Sequence, residues 1–210
     1  MEMQSYLDQL ASSAPAPGGG SAAALAGALA AALESMVCNF TVGREKFASV
    51  EQEVTEIFRQ AEQIRGEMTG LMQSDIEVYQ GLSRAFQLPR VSDSQKEART
   101  ETIQQALKQA TEVPLKVLLG CYKLLRLCQR LVDKGNPGLV SDVGVAAALA
   151  QAGIVAANLN IEINLGRIKD PAYVDQVRRL AEPVLAKAPH VKDEVMEKVA
   201  AALKGEAVSP

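Results

Sequence analysis

From Ser21 to Leu33 the chain uses only Ser, Ala, Leu and Gly, directly after three glycines at 18–20. Alanine has the highest helix propensity, so the run reads as a helix. That helix is apolar all round, and such a helix has to be surrounded by other chain or by lipid. Lipid fits poorly: a spanning helix wants about 20 strongly apolar residues, whereas this run is mostly weakly transferring Ala and meets Glu34. An export signal fits poorly too. Its apolar stretch follows basic residues, and here the preceding segment holds Glu2 and Asp8 but no Lys or Arg. The run is therefore expected to be the buried, Ala-rich central helix of a soluble multihelical domain, closely approached by its neighbours.

The rest of the chain agrees with an all-α fold. Apolar residues recur with helical period and no stretch alternates as a strand would. The breakers divide the chain into about eight helices, near 2–13, 20–42, 47–88, 92–110, 113–134, 141–166, 170–187 and 189–204. Ser92 or Ser94 and Ser141 are candidate N-caps, and Pro114 and Pro171 suit first turns. One domain over 1–204 is expected, with a frayed tail at 205–210; 210 residues with 48% hydrophobic content suit a single core. A net charge of −3, with four Tyr, four Phe and no Trp, argues against a nucleic-acid partner. Cys38, Cys121 and Cys128 lie in apolar stretches. They read as reduced packing thiols of a cytoplasmic protein. His190 is the one histidine, so neither a zinc site nor a Glu-x-x-His di-iron bundle is expected.

Polar residues interrupt the core faces. Val50, Val54, Ile57, Ala61, Ile64, Met68 and Leu71 follow a 4-3 helix-packing spacing. Its next positions are Asp75, Val78 and Leu82. A carboxylate there either meets a structural partner, such as a helix N-terminus, or does chemistry with a raised pKa. Asn39 falls on the face of Leu25, Leu29, Ala32 and Met36, and Asn160 and Asn164 share a face of their helix. Side-chain amides suit recognition of a planar, hydrogen-bonding ligand; an inter-helix network is the alternative. Gly18, Gly19, Gly20 and Ser21 either present backbone N–H groups to an anion or form a flexible helix start with Ser21 as N-cap. No Lys-Ser/Thr follows them and no strand precedes them, so neither phosphate-loop fingerprint is met. Arg44 and Lys46 close the second helix as a solvated pair or a carboxylate holder.

Five blocks carry a resemblance: "PAPGGGSAAALAGALAAALESMVCNFTVGREKF", "DIEVYQGLSRAFQLPR", "ATEVPLKV", "GNPGLVSDVGVAA" and "NLNIEINLGRIKD". In order and spacing the chain resembles the cyclodeaminase/cyclohydrolase family. That domain occurs fused in formiminotransferase-cyclodeaminase and free-standing as bacterial methenyltetrahydrofolate cyclohydrolase. The resemblance implies an all-α homodimer acting on a folate, without metal or other cofactor and without a membrane or nucleic-acid partner. It assigns the catalytic carboxylate to Asp75. The substrate candidates are Gly18, Gly19, Gly20, Ser21, Asn39, Arg44, Lys46, Asn136, Ser141, Asp142, Asn160 and Asn164. Many members carry a second acid two positions before the aspartate, where this chain has Gln73.

Overall fold

A computed structural model describes residues 2–205. Among them are α1 (Met3–Leu10), α2 (Gly19–Asn39), α3 (Glu51–Phe86), α4 (Asp93–Leu131), α5 (Val140–Leu165) and α6 (Pro171–Leu203), with short 3-10 turns at Glu45–Val50 and Pro137–Leu139 and no strand. The all-α expectation holds. The count of about eight does not: among the described residues there are six α-helices, because the segments split at Pro114 and near Pro189 are continuous. Of the expected frayed tail, 206–210 lies outside the described residues.

Proline interrupts neither α4 nor α6, and the reason is local. Pro114 cannot donate to the carbonyl of Ala110, four residues earlier. The side chain of Asn164 on α5 donates to that carbonyl instead, Nδ2 to O at 3.0 Å. In α6, Pro183 and Pro189 sit on the exposed side, where solvent can pair with the carbonyls they free. Ser92 does cap α4, in a reciprocal capping box with Gln95. Ser141 caps nothing, since α5 already begins at Val140 behind the Pro137–Leu139 turn.

The helices form one layer with a long helix behind it. α2 packs between α3 and α5, α5 packs between α2 and α6, and α4 touches all four. Cys121 of α4 wedges into the seam of α2 and α5. A Cβ on Gly27 would come within 2.9 Å of its Sγ, and one on Gly153 within 2.6 Å. The two glycines thus set how closely three helices meet. α2 and α5 run antiparallel: Gly19 lies beside Asn160, while Asn136, just before α5, donates its N–H to Thr41 Oγ1 beyond the end of α2 (2.9 Å).

α2 is not buried all round. Ala23, Ala24, Ala30 and Ala31 are within the core, but Leu29 is 43% exposed and Ala32 is open to solvent. Leu25, Leu29, Ala32, Met36 and Asn39 do share a face, and it is this open one. α2 and the Pro137–Leu165 segment are long and apolar enough to cross a membrane, yet roughly half of each is buried in the bundle. The three cysteines are free and buried, as their apolar settings suggested.

Candidate active site

The α3 seam runs as its spacing predicts, with Val54, Ile57, Ala61, Ile64 and Met68 buried. It carries Asp75 to the N-terminus of α2. There Asp75 Oδ2 accepts the backbone N–H of Ser21 at 2.9 Å. Gly20 makes this approach possible, because a Cβ at Gly20 would overlap the Asp75 carboxyl group. The start of α2 is therefore capped by a side chain from another helix and not by Ser21, which lies inside the helix behind Gly18: a first-turn N–H, with the positive end of the helix dipole behind it, meets a carboxylate. Burial pushes the Asp75 carboxyl above its ordinary 3.8, and the Ser21 N–H pulls it partly back.

Ser21 is itself held. Tyr6, the one buried residue of α1, donates its hydroxyl to Ser21 Oγ at 3.1 Å. Tyr6 so ties the N-terminal helix to the turn that positions Asp75. Nothing in the sequence pattern singled it out, since α1 is short and separated from α2 by a Pro-rich link.

Asp75 opens onto a cleft of about 260 Å³ shared with Gly18–Gly20, Tyr79, Asn160, Asn164 and Arg167. Asn160 donates Nδ2 to the Ala156 carbonyl of its own helix (2.8 Å) and lies against Gly19. Asn164 serves the Pro114 break, so its Nδ2 is already engaged. Arg167, not among the expected residues, stands on the turn after α5. Gln104 pins that turn, donating to the Arg167 carbonyl (3.0 Å) and accepting from the Lys169 N–H (2.7 Å). Gln73 is exposed and donates to Glu77 (3.1 Å), outside the cleft.

The structural duty of Asn164 is separable by experiment. Asn164→Leu leaves the Ala110 carbonyl without a donor and is expected to cost about 1–3 kcal/mol. With Pro114→Ala in the background, residue 114 regains an N–H for that carbonyl, and the cost should shrink below about 1 kcal/mol. Denaturant unfolding of the four proteins in the cycle reads the difference; equal costs in both backgrounds would remove the pairing from the explanation.

The remaining expected residues gather at the opposite end of α2, about 30 Å away for a helix of 21 residues. Asn39, Arg44 and Lys46 are exposed there, with Lys46 over the Phe47 ring. Asn136 is used structurally: it accepts from the Gly138 N–H (3.1 Å) and donates to the Phe40 carbonyl (3.4 Å). Ser141 is exposed and Asp142 half-buried in the first turn of α5. Within one chain, then, Gly18–Ser21, Asp75, Asn160 and Asn164 come together, and these six do not join them.

The family model for formiminotransferase-cyclodeaminase matches residues 2–183. This chain belongs to the formiminotransferase-cyclodeaminase family. A methenyltetrahydrofolate cyclohydrolase of Methylorubrum extorquens is 40% identical over 94% of this chain and 95% of its own length. The formimidoyltransferase-cyclodeaminase of Rattus norvegicus is 30% identical over 89% of this chain, which spans 34% of that protein. The crystal structure of formiminotetrahydrofolate cyclodeaminase from Thermotoga maritima superposes with a TM-score of 0.87, at 28% identity, over 97% of this chain and 98% of that one. The family match thus reaches Tyr6, the glycine turn, Asp75 and the α5 asparagines together.

Proposed function

We propose that this protein is a cytoplasmic enzyme of one-carbon folate metabolism that hydrolyses 5,10-methenyltetrahydrofolate to 10-formyltetrahydrofolate. The observation that carries the reading is the Asp75 carboxyl group, half-buried at the start of α2 and opening onto the cleft. The full-length likeness to the cyclohydrolase of Methylorubrum extorquens favours this reaction over its relatives' alternatives.

Water adds to the bridge carbon between N5 and N10, and the Asp75 carboxylate takes a proton from it. The resulting tetrahedral carbon opens at its bond to N5, and Asp75 returns a proton to that nitrogen. One proton is released overall as the cationic bridge becomes a neutral formamide. Such positioned proton transfer contributes roughly 10²–10⁴-fold. Burial raises this carboxyl group above its ordinary 3.8, which helps one group serve first as base and then as acid. Asn160 and Arg167 bind substrate polar groups at the cleft wall. Gln73, outside the cleft, leaves the proton-transfer group in place. Two copies of the chain pair as a homodimer through the open apolar face of α2 and α5.

A second reading is formiminotetrahydrofolate cyclodeaminase, supported by the likeness to the Thermotoga maritima structure. There N10 attacks the formimino carbon and ammonia leaves, through the same kind of tetrahedral carbon. Near-ultraviolet absorbance of the methenyl compound decides. Its enzyme-dependent loss supports hydrolysis, and its appearance from 5-formiminotetrahydrofolate supports deamination. Neither change above buffer would leave a folate-binding or scaffold protein without turnover.

A further inference from the structure

We propose that Tyr79 selects the charged form of the substrate, holding the cationic N5–C–N10 bridge against its ring face while Asp75 handles the proton. This rests on the proposed folate reading and adds to it how the cleft tells substrate from product.

Position is the first observation. Tyr79 follows Asp75 by four residues on α3, so the two share a face, with Cβ atoms about 5–6 Å apart. An aromatic side chain on a helix leans toward the turn before its own, and for Tyr79 that is the turn carrying Asp75. Both residues line the same cleft. The ring of Tyr79 is not spent on packing. It is 44% exposed, whereas Leu82 and Ala85 on the following turn are 6% and 3% exposed. Tyr6 and Tyr173 are used structurally, donating their hydroxyls to Ser21 Oγ and to the Lys108 carbonyl.

The make-up of the cleft is the second. Among the residues lining it, Tyr79 is the one aromatic, Asp75 the one anion and Arg167 the one cation. The remaining wall is the glycine turn, two asparagines and small or apolar side chains.

Charge then decides what each group can do. The methenyl bridge is a cation delocalised over N5, the bridge carbon and N10. That charge disappears when water adds to the carbon and Asp75 takes the proton. Arg167 repels such a cation and suits the anionic end of the molecule. Asp75 attracts it, but the attraction ends as soon as Asp75 is protonated. An aromatic face attracts a cation and takes up no proton. Its hold therefore depends on the charge of the bridge alone, and it lapses once the bridge is neutral and the product has to leave. The apolar Val78 and Leu82 on the same wall keep water from screening the contact. Because the hold belongs to the bound substrate, its loss should appear in KM and not in kcat.

Two substitutions separate the ring face from its alternatives. Tyr79→Leu keeps an apolar side chain and removes the face; Tyr79→Phe keeps the face and removes the hydroxyl. Each is made beside Asp75→Asn, so that turnover does not consume the ligand. Binding is read by rapid mixing with 5,10-methenyltetrahydrofolate, cationic at the bridge, and with tetrahydrofolate, neutral there. Tyr79→Leu is expected to weaken the methenyl compound about 3- to 30-fold more than tetrahydrofolate, the range that cation–π contacts span. Tyr79→Phe should bind both as its parent does. Equal weakening of both ligands by Tyr79→Leu would overturn the proposal, since the loss of a wall alone does that. A Tyr79→Phe protein as weak as Tyr79→Leu would overturn it too, by placing the effect on the hydroxyl. With Asp75 intact, Tyr79→Leu should raise KM for the methenyl compound and leave kcat within about twofold; a fall in kcat at unchanged KM would count against it. A parent protein that binds neither folate would remove the folate reading and this role with it. Binding that ignores the charge would remove the role of Tyr79 alone.

Discussion

Asp75→Asn is expected to lower kcat by about 10²–10⁴-fold, the usual worth of a positioned general acid–base group, without unfolding the protein. The amide oxygen of Asn can still accept the Ser21 N–H that Asp75 Oδ2 accepts now. What it cannot do is take a proton. KM should change little, because the substitution removes an interaction made while protons move rather than one that holds the ground state.

Two further readouts separate this from a structural role. The wild-type rate should rise with pH through the Asp75 pKa, which burial places above 3.8, and the variant should lose that limb. Stability should move oppositely. A carboxyl group with a raised pKa stabilises the fold fully below its unfolded value, and that contribution is lost as pH rises through the folded value. Removing the ionisable group should therefore leave the thermal midpoint at neutral pH unchanged or slightly higher. An Asp75→Asn protein that unfolds easily, or one that retains wild-type kcat, would end the assignment.

How much of this was legible depends on how local each cause is. Asp75 was legible because the seam on α3 is periodic and a carboxylate on it stands out. The glycine turn was legible as a helix start, but only the fold shows that Gly20 exists to admit a side chain 55 positions later, since a Cβ there would overlap Asp75. The division into about eight helices failed where a break is repaired at a distance. Pro114 signals an end in sequence, and its missing bond is replaced by Asn164 on another helix, 54 residues from the Ala110 carbonyl it serves. Asn39 was assigned to a core face because its neighbours are apolar. Periodicity reports that a face is apolar and cannot say whether the same chain covers it. Asn136 reads as a ligand candidate in a Gly-Pro turn, whereas its amide is spent on joining that turn to the end of α2.

Glu34→Gln is expected to gain stability relative to the wild-type protein as pH rises. Glu34 lies on α2 with no exposed surface, and its Oε1 accepts the Cys128 thiol at 3.1 Å. Its Oε2 is buried without a partner, and no cation pairs with it among the described residues. Burial therefore pushes its pKa well above the ordinary 4.5, and the thiol bond offsets this only in part. The same burial, with the acid nearby, pushes the Cys38 thiol up to about 12. Below pH 4.5 both folded and unfolded chains hold the proton, and the stabilising difference is complete. Above it the unfolded chain ionises while the folded chain does not, so stability falls by up to about 1.4 kcal/mol per pH unit until the folded pKa is reached. Gln does not titrate, so its advantage should grow through that window. Its amide also adds a buried donor without a partner, which costs about 1–3 kcal/mol at every pH. The slope against pH, not the offset, is thus the diagnostic quantity. Thermal midpoints of both proteins between about pH 5 and pH 8 would show it, and a constant gap would mean that Glu34 is not held protonated. Activity should be unaffected, because Glu34 sits about 20 Å along α2 from the Ser21 that holds Asp75.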